Sequence, residues 1–299
     1  MASGTEDLKV GTLFSFHQLI VLVTGGSSGI GEMIAEAFVQ NGAHVIIASR
    51  KQKELDSTTM RLNKLGPGRC EYIVADLKDK AGANALVSDV KSRVSRLNVL
   101  VNCAGASWGG PFDDFPEMGW DKLMALNVKS IFYLSAGLRP LLQKNATDVF
   151  PSRIINVASI AGIRTTDVTS GADGGLAAPG NGTFSYGPSK AAVIHLTKQM
   201  ASKFAPLHIN VNVVCPGVFP SRMTAYGIQV ALPTLLARQP TGRIGRPSDI
   251  AGLVLFLSSL GSAHMTGSTF EIDGGSNSSG WKTKVSAPLV EQARNNSKL

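Results

Sequence analysis

The chain has 299 residues, 43% of them hydrophobic and 17% charged, with 32 glycines and a formal net charge of +8, which is material for one large α/β domain with an ample core. The basic residues are scattered, with no long Lys/Arg run and no aromatic–basic interleaving, which argues against a nucleic-acid surface, and no apolar run is long enough to span a bilayer. Cys70, Cys103 and Cys215 have neither metal nor redox spacing and read as small buried hydrophobes, while the five histidines are scattered without ligand spacing, so no metal site is predicted.

Residues 1–17 are mixed in character, with early acids and no apolar stretch of secretory type, and are predicted to lie as an arm on the surface. Leu19–Val23 is continuously apolar and β-branched, the pattern of a strand buried on both faces. It runs into Thr24-Gly25-Gly26-Ser27-Ser28-Gly29-Ile30-Gly31, after which Met33, Ile34, Ala37 and Phe38 recur at helical spacing. His44–Ser49 is a second buried strand and completes a βαβ unit. Tyr72–Ala75 predicts a third strand ending at Asp76, residues 80–94 a helix, and Val99–Asn102 a fourth strand. Residues 118–142 predict one long helix, or two joined ones, carrying Asn127. Arg153–Val157 reads as a fifth strand, Ile209–Val214 as a sixth, residues 248–259 as a helix with Pro247 near its start, and Ser268–Ile272 as a last strand. The alternation predicts a Rossmann-type doubly wound parallel sheet of about seven strands, in a single domain over residues 18–275.

Two segments break this rhythm. Thr165–Thr183 is rich in glycine and reads as a long loop, and residues 276–299 form a polar tail. The tail ends in Ser297-Lys298-Leu299, the tripeptide of a peroxisomal matrix address, which predicts a peroxisomal location and an import receptor as partner.

A glycine-rich turn between a buried strand and a helix lets backbone N–H groups approach a pyrophosphate where the helix dipole favours an anion. Here the spacing is Gly25-xxx-Gly29-x-Gly31, wider than the commonest dinucleotide fingerprint. The second strand ends in Ser49, Arg50 and Lys51, with no acid to take a ribose 2′-hydroxyl. A guanidinium there can fork onto a 2′-phosphate, which points to NADP(H).

Tyr186 and Lys190 stand four apart, on one face of a helix for which Ser185 is a candidate N-cap and Pro188 fits the first turn. A phenol with an ordinary pKa of about 10 is a poor acid–base group near neutrality. An ammonium one turn away is expected to lower that pKa.

Together these motifs resemble the short-chain dehydrogenase/reductase family over residues 18–275. The matching stretches are Thr24-Gly25-xxx-Gly29-x-Gly31, Asp76-Leu77, Asn102-Cys103-Ala104-Gly105, Asn127, Ser159, Tyr186-xxx-Lys190 and Cys215-Pro216-Gly217. Gly105–Gly109, Pro216–Thr224 and Gly242–Pro247 resemble more narrowly the 3-ketoacyl reductases of fatty-acid type, in particular their NADPH-dependent rhamnolipid-pathway branch. The resemblance implies that Tyr186 protonates the carbonyl oxygen, Ser159 holds that oxygen, Lys190 binds the nicotinamide ribose and Asn127 positions a water linking Lys190 to solvent. It also implies cofactor contacts from Gly25, Ser27, Ser28, Gly29, Ile30, Gly31, Arg50 and Lys51. Asp76 and Leu77 would meet the adenine, and Asn102, Ala104 and Gly105 the adjoining ribose. Pro216, Gly217, Phe219 and Ser221 would cover the nicotinamide. A homodimer or homotetramer is implied as well.

The expected activity is reduction of a ketone to a secondary alcohol, with a 3-ketoacyl thioester or related β-keto compound as substrate. The alternatives are a specialised-metabolite ketone, a non-redox isomerisation or cyclisation on the same scaffold, and a non-catalytic NADP-binding sensor. The chain departs from the family at Cys103, where a second Asn is common, at Ser28, where NADP-preferring members often carry a basic residue, and at the long gap between Ser159 and Tyr186.

Overall fold

The computed structural model describes residues 6–165 and 180–278. The middle of the predicted glycine-rich loop and the Ser297-Lys298-Leu299 address lie outside the described residues.

Seven strands form one all-parallel sheet in the order β3-β2-β1-β4-β5-β6-β7. They are β1 (Ile20–Thr24), β2 (His44–Ser49), β3 (Arg69–Val74), β4 (Val99–Asn102), β5 (Ser152–Val157), β6 (Ile209–Pro216) and β7 (Thr269–Ile272). The strand order reverses between β1 and β4, and a crevice opens there beyond the carboxyl ends of the strands. Each strand sends alternate side chains to opposite faces, so β1 gives Leu22 to one core and Val21 and Val23 to the other.

On the first face, α4 (Lys80–Arg93), α6 (Ser130–Gln143) and α7 (Tyr186–Phe204) bury Leu86, Val90, Leu134, Leu138, Val193 and Met200. On the second, α2 (Gly29–Gln40), α3 (Gln52–Leu62) and α9 (Pro247–Ser258) bury Ile34, Phe38, Leu55, Leu62, Ile250 and Val254. A short helix, α1 (Val10–Leu13), precedes β1, and Phe16 beside it is not laid on the surface as expected. Its ring is buried edge-on against Phe38, centroids 6.2 Å apart, so the arm is pinned to the core.

Two helices escaped the sequence pattern. α3 is polar, with only Leu55, Thr58 and Leu62 buried, so its apolar stripe is thin. α8 (Ala225–Ala237) carries Pro233 and a non-helical Ala231, which reads as a break, yet Ile228, Leu232, Leu235 and Leu236 pack with Ile244 into a satellite cluster. Residues 118–142 resolve into two joined helices, α5 (Glu117–Met124) and α6, with a π-helical turn over Ala125–Lys129 that holds Asn127. Such turns interrupt the regular backbone ladder, often at functional sites.

The turn after β1 is compact because its glycines leave no side chain between passing backbones. Gly25 and Gly29 have φ of +69° and +56°, which L side chains rarely adopt. A Cβ on Gly31 would lie 2.3 Å from the Gly25 carbonyl oxygen. Gly31→Ala is therefore expected to cost roughly 1–3 kcal/mol through overpacking and to lower the thermal midpoint by several degrees. Gly252→Ala in α9, where a Cβ meets nothing within 4 Å, should be neutral or stabilising. Equal midpoints for the two variants in differential scanning calorimetry would contradict this account.

Candidate active site

The crevice at the strand-order reversal is a cleft of about 480 Å³. One wall is Gly25, Ser28, Gly29, Ile30 and Gly31; the floor is Cys103, Ala104 and Gly105 at the end of β4 with Val157 and Ala158 at the end of β5. Thr24 ties the β1 and β4 ends together, because its hydroxyl oxygen accepts from Cys103 N and Ala104 N at 3.0 and 3.1 Å.

The outer end of the cleft is basic. Arg50 and Lys51 follow β2 there, while Leu77 and Ala75 line the side. The Ser28 N-cap of α2 makes no side-chain cap bond, so the helix N–H groups remain available to an anion. A backbone cradle with no room for side chains, a helix N-terminus and a cationic rim fit a phosphorylated dinucleotide.

The inner end carries Tyr186 and Lys190. Lys190 Nζ donates to the Val157 carbonyl at 2.9 Å and stands 5.6 Å from the Tyr186 ring centre. The Ser159 hydroxyl faces the Tyr186 phenol and favours its ionised form. Its oxygen also accepts from Ala161 N at 3.1 Å, so the hydroxyl caps the next turn and faces the phenol at once. Asn127 is fully buried; its amide group donates to Ala106 O and to Ser189 Oγ, and its Oδ1 accepts from Ala106 N, each at 3.0 Å. Ser189 Oγ donates in turn to the Tyr186 carbonyl at 2.7 Å, which links the π-turn to the first turn of α7. A Cβ on Gly105 would lie 3.3 Å from Asn127 Oδ1 and 3.4 Å from Lys190 Nζ, so the bare backbone there is what lets these groups converge.

Electrostatics correct one expectation. Tyr186 is not lowered by Lys190. Burial pushes its phenol up to about 12, and the Ser159 hydrogen bond only partly opposes this. Lys190 is pushed down to about 8 for the same reason. One N–H of the Lys190 ammonium goes to the Val157 carbonyl, and in this buried site desolvation of both charged forms outweighs their separation of one helical turn. The cysteines behave as apolar groups: burial raises Cys70 and Cys103 to about 11 and Cys215 to about 12. Cys103 nevertheless lines the cleft.

Other expected residues stand elsewhere. Ser185 does not cap α7: its backbone is already helical, at φ −85° and ψ −17°, and its buried hydroxyl has no hydrogen-bond partner among the described residues. Asn102 turns from the cleft into a buried network, donating to Asn156 Oδ1 at 2.9 Å and Ser135 Oγ at 3.3 Å. Asp76 accepts from Lys78 N at 3.2 Å beside the cleft, and Ser27 is buried with its carbonyl taken by Thr58. Phe219 borders a second cavity of about 210 Å³ with Val218, Arg243 and Asp249. A Cβ on Gly217 would press on Asp273, at 2.8 Å from its Cα, so this glycine serves packing. Ser221 does line the cleft, and so do Arg222 and Met223, which lie in the matching stretch Pro216–Thr224 but were given no cofactor role.

A family profile described as Enoyl-(Acyl carrier protein) reductase matches residues 25–277. The chain is 42% identical over 264 residues to the rhamnolipids biosynthesis 3-oxoacyl-[acyl-carrier-protein] reductase of Pseudomonas aeruginosa, covering 88% of this chain and 97% of that protein. It is 34% identical over 257 residues to the 3-oxoacyl-[acyl-carrier-protein] reductase FabG of Thermotoga maritima, covering 86% and 96%. Among solved structures, the Pseudomonas aeruginosa RhlG/NADP active-site complex superposes with a TM-score of 0.80 at 41% identity, covering 89% of this chain and 98% of that one. A dinucleotide cleft with a basic outer end, a Tyr–Ser–Lys–Asn cluster at its inner end and these relatives converge: the chain belongs to the short-chain dehydrogenase/reductase family and is an NADP(H)-dependent oxidoreductase of ketoreductase type.

Proposed function

We propose that the chain reduces the 3-keto group of an acyl thioester to a secondary alcohol. The observation that carries this is the convergence of Ser159, Tyr186 and Lys190, with a cluster of aromatic rings joined to the chain just before Tyr186. Phe184, two residues before Tyr186, stacks edge-on against Phe112 and Phe115 at 5.1 and 5.7 Å, and Phe115 against Trp120 at 6.2 Å. Such a cluster suits an acyl chain laid against it. The 3-oxoacyl-[acyl-carrier-protein] reductases among the relatives support the same substrate class.

When bound, the nicotinamide supplies hydride to the carbonyl carbon. Tyr186 gives its phenolic proton to the carbonyl oxygen, and the Ser159 hydroxyl hydrogen-bonds that oxygen and stabilises the charge building on it. Burial, which pushes the phenol up to about 12, keeps it protonated at neutral pH. Lys190, down to about 8, still carries its charge at pH 7 and sits where it can meet a ribose and later resupply the proton. Asn127 holds Ala106 and Ser189 in place and through them the first turn of α7.

The same aromatic cluster, with Phe112 73% exposed, favours a second substrate, a bulky specialised-metabolite ketone. A homodimer or homotetramer and a peroxisomal location through Ser297-Lys298-Leu299 belong to the proposal too.

Tyr186→Phe should lower kcat by roughly 100- to 10,000-fold while leaving NADPH affinity within a few-fold; retained turnover would remove Tyr186 as the acid. NADPH oxidation by the purified protein is expected with 3-ketoacyl-CoA or acyl-carrier thioesters. Oxidation with bulky ketones alone would replace the thioester assignment, and silence on both with NADPH binding intact would favour a non-redox or sensor role. A fluorescent fusion to residues 276–299 should form peroxisomal puncta in a eukaryotic cell and disperse when Ser297–Leu299 are removed. Puncta that persist without them would disprove the address.

A further inference from the structure

The segment between β6 and α8 crosses the mouth of the cleft, so that Ser221 and Arg222 face Ser28 and Gly29 on the glycine turn. Arg222 closes this gap with both arms of its guanidinium. Nη1 donates to Glu54 Oε1 at 2.6 Å and Nη2 to Glu54 Oε2 at 2.8 Å, a two-pronged pair. The same Nη2 donates to Ser28 Oγ at 2.9 Å, joining residues 194 positions apart in the chain. Lys51 Nζ reaches Glu54 Oε1 from the other side at 2.9 Å.

The rim therefore gathers Lys51 and Arg222 around one carboxylate, with Arg50 lining the same cleft, which leaves an excess of positive charge beside Ser28. Glu54 is held down at about 2, first by the Arg222 hydrogen bonds and then by Lys51, so it stays ionised and keeps its grip at any working pH. Because the Ser28 oxygen accepts from Arg222, its own hydroxyl proton is free to point at an acceptor entering the cleft. Arg222 itself keeps unused N–H donors, since a guanidinium has five and three bonds are made here. Ser28 brings a donor without a charge, and Arg222 brings the charge to it from across the cleft.

We propose that Arg222, clamped by Glu54 onto Ser28, is a specificity residue for the 2′-phosphate of NADP(H) and acts alongside Arg50. The assignment rests on the NADP(H) dependence stated above, and it is separable from the substrate: only the adenosine end of the cofactor is involved.

The test is equilibrium binding by titration calorimetry, without substrate, of adenosine 2′,5′-bisphosphate and of ADP to the purified protein. Arg222→Met keeps the aliphatic stem and removes the charge. It should weaken the 2′,5′-bisphosphate by about tenfold or more, the size expected for charged hydrogen bonds, and leave ADP within about twofold. Arg222→Lys keeps a charge without the fork and should lose less, again on the 2′-phosphate ligand alone. Arg222 is 60% exposed, so the unliganded thermal midpoint should not move. Rising salt should weaken the bisphosphate less steeply in Arg222→Met than in the parent. Equal weakening of both ligands would make the bridge a general strap and overturn the assignment, as would an unchanged bisphosphate affinity. A parent protein that does not distinguish the two ligands would instead overturn the NADP preference itself.

Discussion

Backbone passing backbone with nothing in between is the constraint on which the rest of this molecule depends. At the end of β1 the chain must turn into α2 while the end of β4 passes beside it. Gly25 therefore sits where a Cβ would be 3.0 Å from Ala104 Cα, and Gly31 where one would strike the Gly25 carbonyl. Thr24 holds the two strand ends in register with two hydrogen bonds. One face of that junction becomes the cofactor cradle. A few residues on, Gly105 leaves open the space into which Asn127 and Lys190 project. Cradle and catalytic cluster are two ends of one tightly passed crossing.

Within that crossing, burial outweighs local charge. Tyr186 and Lys190 both meet the cost of desolvating a charged form, and the shifts run in opposite directions: the phenol up to about 12, the ammonium down to about 8. Two groups whose ordinary values almost coincide are thereby parted, with the acid kept protonated and the cation kept only just charged.

Much of this was legible in the chain. The inner strands lie where apolar, β-branched runs placed them, because strands buried on both faces are apolar along most of their length, whereas β3, an edge strand only partly buried, begins at Arg69, ahead of its apolar run. The kink at Asn127 was visible as an ambiguity between one helix and two, and it proved to be a π-turn. α3 was hidden, since a helix that buries three side chains leaves little periodic signal. α8 was hidden by its internal proline. Asn102 and Asp76 show a different limit. Both stand at strand ends beside the cleft; Asp76 turns back on the N–H of Lys78 two residues on, whereas Asn102 turns to Asn156, a partner 54 positions away that no local pattern specifies.

The sequence by itself determined the alternation of strands and helices, the glycine turn, the absence of an acid after β2 and the pairing of Tyr186 with Lys190 on one helical face. These are local matters of periodicity, backbone freedom and residue type. Only the tertiary structure decided that Arg222 meets Ser28 and Glu54, that the Ser159 hydroxyl caps the next turn beside the phenol, and that Lys190 donates to the Val157 carbonyl. Each depends on distance and desolvation between residues far apart in the chain, and a low-dielectric interior is made only when the whole sheet and its two helical layers close around it.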